Sequence, residues 1–198
     1  MNTIITERTE NGEVSYDVFT KLVDSRILFL YDTITDEIAM NVVATLFYLD
    51  RQDDSKTISL YINSDGGDIR SVFMIYDIMK MISSPIETFC TGAAMYESAL
   101  IWAAGTKGKR YSTKSSTICI NQLRHYGSDY TPLEGAEIRL KLSRNDNKRF
   151  IQALSSCVER PYKTVLKDSE REFYMSPYIA RKYGIIDTII GDSDAKKQ

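Results

Sequence analysis

The chain has one histidine, three cysteines and no long apolar run, and each shortage excludes a class of protein. One imidazole and no close cysteine pair leave no metal-binding spacing, so we expect neither a metal nor a cofactor. The odd number and wide spacing of Cys90, Cys119 and Cys157 indicate reduced thiols in a cytoplasmic protein. Nothing approaches the ~18 consecutive apolar residues of a membrane span, so no membrane partner is expected.

Positive charge is not in excess either. The 25 Lys and Arg residues stand against 27 Asp and Glu residues, so the formal net charge is −2. No basic block stands out, which argues against a nucleic-acid partner. The N-terminal stretch MNTIITERTENGEVSYDV has early acidic residues and no apolar core, which argues against a signal peptide. The composition, 43% hydrophobic and 26% charged, is typical of one globular domain, here expected over residues 1–198.

Strand and helix patterns alternate through the first half of the chain. Short apolar runs predict buried strands at 26–31, 57–62 and 86–90. Between them, Thr35 is a predicted helix cap, and the pair Gly66-Gly67 opens a second helix. Two repeats of strand, turn, helix and strand indicate right-handed crossovers and a mainly parallel sheet. The predicted fold class is therefore α/β.

The stretch Cys90–Gly105, CTGAAMYESALIWAAG, joins the third of these strands to a helix. Its small residues predict a sharp turn at 91–94, which leaves the first helical amides facing whatever lies above them. Several hydrolase folds hold a nucleophilic serine at such a strand-to-helix corner. Here the residue at the exposed step is Tyr96, followed by Glu97 and Ser98.

The second half of the chain predicts one long helix and several short elements. Thr131-Pro132-Leu133-Glu134 has capping-box spacing with proline at the first helical position, so a helix is expected over 131–158. The polar segment 144–149 predicts that the second half of this helix projects. The other expected elements are short strands at 109–111 and 117–121, helices that open at Pro161 and Ser176, a strand at 185–190, a mobile N-terminal arm or hairpin at 1–13, and a disordered tail at 191–198.

Three stretches in this order resemble the ClpP family, the self-compartmentalised serine peptidases that ATP-driven unfoldases feed. They are Leu60–Ser64 with Gly66-Gly67, Ala103–Gly105 with Lys107–Arg110, and Phe173 through Asp187. The resemblance implies a ClpP/crotonase-like fold and seven-membered rings stacked as a tetradecamer around a chamber. It also implies a projecting handle helix, corresponding to 131–158, and an axial role for the arm at 1–13.

The resemblance puts the family's Ser-His-Asp triad at Tyr96, Asn121 and Glu172. Asn121 has no nitrogen that titrates near neutral pH, so it cannot act as a general base. Tyr96 places a bulky phenol of pKa about 10 where a small hydroxyl should meet the substrate. Losing the nucleophile or the base of a triad costs on the order of a millionfold in turnover. The sequence therefore predicts a pseudoenzyme similar to the non-catalytic ClpR class.

The other functional positions of the family also map onto this chain. The oxyanion hole corresponds to the backbone amides of Gly67 and Glu97, and Asp65 adds a negative charge that disfavours an anion there. Glu170 and Arg171 match a pair that the family uses across the ring-to-ring interface.

Unfoldase docking maps to Tyr61, Ser59 and Met81, and the last two stand at positions that are usually aromatic. Serine removes contact area there, although methionine can line an adaptable apolar pocket. We therefore expect altered or weakened binding of an AAA+ unfoldase of the ClpX, ClpA or ClpC type. The remaining expected partners are copies of this chain or an active ClpP in mixed rings, and unfolded polypeptide in the chamber.

Two other functions stay open at this point. An active serine endopeptidase could use a rearranged site of Ser98 and His125 with Glu172 or Asp168. Against it, a two-residue shift along a helix turns a side chain by about 200°, so Ser98 should point away from the direction of Tyr96. A crotonase-type acyl-CoA enzyme is the remaining alternative, because the folds are similar.

Overall fold

The computed structural model describes residues 3–9, 12–123 and 133–192. These residues form the strands β1 (Ile4–Thr9), β2 (Gly12–Asp17), β3 (Ile27–Tyr31), β4 (Ile58–Ser64), β5 (Ile86–Met95), β6 (Arg110–Ser112), β7 (Thr117–Ile120), β8 (Phe173–Met175) and β9 (Thr188–Ile189). The helices are α1 (Val18–Asp24), α2 (Asp36–Gln52), α3 (Ile69–Met81), α4 (Ser98–Ala103), α5 (Leu133–Val158), α6 (Tyr162–Asp168) and α7 (Pro177–Tyr183).

The main sheet has the order β3-β4-β5-β6-β9, and each neighbouring pair is parallel. Strand β7 pairs in parallel with the far end of β5, and β8 pairs antiparallel with β7. The prediction of an α/β fold with a mainly parallel sheet is confirmed. Because the strands run the same way, the carboxyl ends of β4 and β5 lie at one edge of the sheet.

The two faces of the sheet differ because side chains alternate along a strand. In β4, Ile58, Leu60 and Ile62 are fully buried on one face, within the core that α2, α3 and α4 complete. On the other face an aromatic row crosses four neighbouring strands, with ring centroids 4.7–5.6 Å apart: Phe29, Tyr61, Phe89 and Tyr111. Sequence analysis did not predict this row, since its members come from separate segments.

The predicted signals for α2, α6 and α7 act as expected, whereas α3 begins after the N-cap Asp68 rather than at the glycine pair. The Thr35 side chain accepts a hydrogen bond from the Ile38 amide, and acidic residues occupy the first turn of α2. Helix α7 starts after the cap Ser176 with a proline and ends at Gly184, whose φ of 99° is left-handed. Helix α6 follows Pro161, as predicted. Helix α1 and strand β8 were not predicted.

The predicted turn at 91–94 is wrong, because β5 runs on to Met95 and pairs there with β7. Gly92 is needed for the close approach of the Asn63 side chain rather than for a turn. A Cβ on Gly92 would lie 2.3 Å from Oδ1 of Asn63, which accepts a hydrogen bond from the Ala93 amide. The chain changes direction at Tyr96, whose φ is 54°.

The long helix packs differently from the prediction. Its second half is anchored, since Phe150, Ile151, Leu154 and Val158 are buried against the core. The first half is the exposed part, and Ile138 is 63% exposed. The apolar spacing in the second half outweighs the polar segment 144–149, where Arg149 lies over the Phe73 ring. The predicted start at Thr131-Pro132 lies outside the described residues.

The two ends of the chain are described in part. An antiparallel hairpin of β1 and β2 occupies the segment where a mobile arm or hairpin was expected. The final strand is shorter than predicted, because β9 covers only Thr188–Ile189, the two residues that pair with β6. Most of the expected tail, residues 193–198, lies outside the described residues. In the described part of the chain, no helix is both long and apolar enough to cross a membrane.

Candidate active site

A cavity of about 750 Å³ lies at the carboxyl ends of β4 and β5. Crevices at this edge of a parallel sheet are common ligand sites. The walls come from five segments that are distant in sequence. The lining residues are Thr33, Asp65, Gly66, Gly67, Asp68, Ile69, Met95, Tyr96, Glu97, Leu123, Ser143 and Asp146.

The glycine pair forms one wall of this cavity and is held by Ile34. The Ile34 amide donates to the Gly66 carbonyl at 2.8 Å, and the Asp68 amide donates to the Ile34 carbonyl at 2.9 Å. A Cβ on Gly67 would lie 2.3 Å from the Ile34 oxygen, so a side chain does not fit there. Gly66 has φ 90°, a conformation that favours glycine. Both glycines are therefore required by local geometry.

Tyr96 stands at the corner between β5 and α4. Its left-handed backbone costs a non-glycine residue about 1–3 kcal/mol and persists only when the surroundings fix it. One such restraint is the 2.7 Å hydrogen bond from the Tyr96 amide to the Cys119 carbonyl. The corner thus has the strained geometry of a nucleophile elbow, with a phenol in place of a small hydroxyl.

Two of the three positions that the resemblance assigns to a triad are joined directly. The Tyr96 hydroxyl donates to Oε1 of Glu172 at 2.9 Å. The Tyr174 hydroxyl donates to Oε2 of the same carboxylate at 3.1 Å. The hydrogen bonds of Tyr174 with Tyr96 and Glu172 raise the pKa of its phenol. Sequence analysis missed Tyr174; the available signal was its place two residues after Glu172, on the same side of an extended segment.

Asn121, the third position that the resemblance assigns to a triad, follows the last residue of β7. Its Oδ1 accepts a hydrogen bond from the Gln122 amide at 2.9 Å. A neutral side-chain amide at this place can orient a neighbour, but it cannot take up a proton near neutral pH. The predicted absence of a general base at position 121 therefore follows from the residue type itself.

The expected oxyanion hole contains an unforeseen contact. The Gly67 amide donates to Oε2 of Glu97 at 3.3 Å. Glu97 was expected to contribute its backbone amide to the hole. Its side chain instead contacts the other expected donor, the Gly67 amide. The sequence does show an acidic residue, Glu97, directly after the elbow. Its contact with Gly67 could not be predicted, because it depends on how the backbone folds.

Ser98, the alternative nucleophile, is 0% exposed. Its hydroxyl is within hydrogen-bonding distance of the Met95 carbonyl, at 2.7 Å, and of the Ser64 carbonyl, at 2.8 Å. Asp168 accepts a hydrogen bond from the Tyr183 hydroxyl at 3.0 Å. His125, the proposed alternative base, lies outside the described residues.

The remaining predicted site residues do not line the cavity, and they are exposed or, at Ser59 and Tyr61, half-buried. Glu170 and Arg171 are exposed, and the Glu170 carbonyl accepts a hydrogen bond from the Gln122 side chain. Tyr61 stacks on Phe89 at 4.7 Å. Ser59 donates to the Glu87 carboxylate, and Met81 is 63% exposed.

Comparison with known families supports the arrangement. A family model described as Clp protease matches residues 10–193 of the chain. The matched residues include the glycine pair that lines the cavity, the corner at Tyr96 and the helix α5. Among the described residues, no group of three or more His, Cys, Asp or Glu side chains is placed to hold a metal ion.

Proposed function

The chain belongs to the Clp protease family, and we propose that it acts there as a catalytically inactive subunit of the ClpR type. The family assignment makes the chain similar to a Clp protease proteolytic subunit, and the family forms rings that work with AAA+ unfoldases. Within such rings, the proposed role is in assembly, gating or partner selection.

The observation that carries the proposal is the hydrogen bond from Tyr96 to Glu172. A triad needs a nucleophile that passes its proton to a base, which a carboxylate then orients. Here a phenol donates straight to the carboxylate, and Asn121 cannot take up a proton. The phenol fills the elbow without the means to be activated.

The rearranged peptidase is disfavoured by the surroundings of Ser98. A nucleophile must reach a substrate carbonyl, whereas this hydroxyl is buried and faces two backbone carbonyls. The acyl-CoA alternative has less support, because the family match covers residues 10–193. Asp65-Gly66-Gly67 is too common a turn to indicate CoA.

The assembly part of the proposal rests on exposed surfaces. The first half of α5 presents the apolar side chains of Ile138, Leu140 and Leu142 to solvent, as a handle between rings would require. Glu170 and Arg171 are exposed and available to a facing ring. The proposed partners are further copies of the chain or an active ClpP, with an AAA+ unfoldase at the rim and unfolded polypeptide in the chamber.

The test is native mass analysis of the purified protein, alone and mixed with an active ClpP from the same source, alongside hydrolysis of a fluorogenic peptide. We expect a silent oligomer that enters mixed rings. A serine-directed covalent probe serves as a second readout and should leave the isolated chain unlabelled. Turnover by the isolated chain, lost in Ser98→Ala, would instead establish the rearranged peptidase.

A further inference from the structure

The carboxylate of Glu97 lies directly on the glycine pair of the cavity. Its Oε2 is 3.3 Å from the Gly67 nitrogen, which donates a hydrogen bond to it. A Cβ built on Gly66 would fall 2.3 Å from the same oxygen. Contacts with two successive residues therefore fix the carboxylate against this part of the backbone.

The backbone that carries Glu97 is also well fixed. The Leu100 amide donates to the Glu97 carbonyl at 3.1 Å, and the Ala99 amide donates to the Tyr96 carbonyl at 3.2 Å. The elbow thus sets both the phenol and the carboxylate above the cavity. Glu97 reaches Gly67 because the elbow and the glycine turn face each other, not because of any closeness in sequence.

The Gly67 amide is the donor that the family resemblance assigns to a substrate oxygen. Such a donor contributes only if a carbonyl oxygen can occupy the position in front of it. In this chain that position holds an oxygen of Glu97. Hydrogen bonds to an ionised acceptor are roughly twice as strong as neutral ones, so a peptide carbonyl competes poorly with the carboxylate.

We infer that Glu97 is an autoinhibitory residue whose carboxylate closes this position to the main-chain carbonyl of a polypeptide. The inference rests on the proposed function, because it takes the cavity to be a peptide site that has lost turnover. It adds a second block, at the level of binding, to the chemical defect at Tyr96 and Asn121. Opening the contact should therefore create a peptide-binding cavity without creating a peptidase.

The charge of the surroundings determines the probe. Asp65, Asp68 and Asp146 line the same cavity, so an anionic ligand would be repelled. We therefore choose an uncharged peptide, acetylated at one end and amidated at the other, made of alanine and leucine. Its main-chain carbonyls can accept a hydrogen bond from Gly67 in place of the carboxylate.

The experiment is hydrogen exchange, followed by mass spectrometry of the fragment that contains Gly67, on the full chain with and without this peptide. The variants are Glu97→Ala and Glu97→Gln, and Glu159→Gln is the control, which removes an exposed carboxylate that does not line the cavity. Without peptide, Gly67 should exchange at least about tenfold faster in Glu97→Ala, because a hydrogen bond to a charged group is lost. Glu97→Gln should lie between, and the control should match the wild type.

With peptide, exchange at Gly67 should slow in Glu97→Ala and stay unchanged in the wild type. Equal exchange at Gly67 in the wild type and in Glu97→Ala without peptide would overturn the inference. It would also be overturned if the peptide slowed exchange equally in both proteins, or did not slow it in Glu97→Ala. Melting curves identify variants that fail to fold, and the near-isosteric Glu97→Gln then carries the comparison. Turnover by the wild type would defeat the proposed function but would leave the exchange comparison valid.

Discussion

The hydroxyl of Tyr96 lies 2.9 Å from Oε1 of Glu172, although the two residues are 76 positions apart in the chain. Tyr96 reaches this point from the elbow after β5, and Glu172 from the residue before β8. The carboxylate also accepts a hydrogen bond from Tyr174, so one acidic group holds two phenols. The positions that the resemblance assigns to the nucleophile and the acid are therefore linked, with the phenol as donor and the carboxylate as acceptor.

Restoring the nucleophile alone should not restore peptide hydrolysis. In Tyr96→Ser the new hydroxyl has no base to take its proton, because residue 121 is still an asparagine. We expect turnover of a fluorogenic peptide to stay at the background rate. Tyr96→Phe is the control, since it removes the hydrogen bond to Glu172 without adding a nucleophile. A rate in Tyr96→Ser clearly above that of Tyr96→Phe would show that another group acts as base.

Ser98→Ala should lower stability and leave peptide turnover unchanged. The buried hydroxyl loses its hydrogen bond to the carbonyls of Met95 and Ser64, which costs about 1 kcal/mol in the free energy of unfolding. Ser116→Ala is a matched control, because that buried hydroxyl donates to the Cys90 carbonyl in the same way. Urea denaturation should give similar losses for both. A specific loss of turnover in Ser98→Ala would contradict the structural role.

Asp187→Asn should be strongly destabilising. The Asp187 carboxylate accepts two hydrogen bonds from the Arg110 guanidinium, at 2.6 and 2.8 Å, and Arg110 is only 1% exposed. Breaking such a pair leaves a buried charge without its partner, which typically costs about 3–5 kcal/mol. In Glu159→Gln, which breaks an exposed pair with Lys107, we expect less than about 1 kcal/mol. Equal losses in the two variants, measured by urea denaturation, would refute this assignment.

The same pair should make stability fall in acid. Burial by itself raises the pKa of Asp187, but the hydrogen bonds and charge of Arg110 bring it below the ordinary value of 3.8. A depressed pKa in the folded state stabilises the protein fully above pH 3.8, and this contribution is lost as pH falls through the lower folded value. Denaturation at a series of pH values should show this loss in wild type. In Asp187→Asn this component should be missing, and an identical acid dependence would rule out the explanation.

Unfoldase docking should improve when aromatic side chains replace Ser59 and Met81, the two non-aromatic residues at the expected docking positions. Ser59→Tyr and Met81→Phe add rings at the two positions where the resemblance implies aromatic residues, and Tyr61, at the third, already stacks on Phe89. We expect the double variant to bind an AAA+ unfoldase from the same source at least about tenfold more tightly, because buried aromatic side chains dominate interface energies. Surface plasmon resonance with immobilised rings provides the measurement. Met40→Phe is the control for added exposed ring area elsewhere, and an equal gain there would indicate non-specific binding.

Local signals in the sequence predicted much of the fold. Thr35, Ser176-Pro177 and Gly184 act within one or two turns of the chain, so their effects on α2 and α7 could be predicted without knowledge of distant contacts. The turn at 91–94 failed for the opposite reason. Gly92 looks like a turn residue, but its small size accommodates the side chain of Asn63 from another strand.

The sequence by itself determined the chemistry available at each position: an amide at Asn121 cannot be a base, and Tyr96 is no small nucleophile. Tertiary structure decided what those groups meet, because hydrogen bonds depend on distances that sequence spacing does not set. It brought Tyr96 and Tyr174 onto Glu172, and the carboxylate of Glu97 onto Gly67. It also buried Ser98 and left apolar side chains in the first half of α5 exposed, since both depend on how separate segments pack.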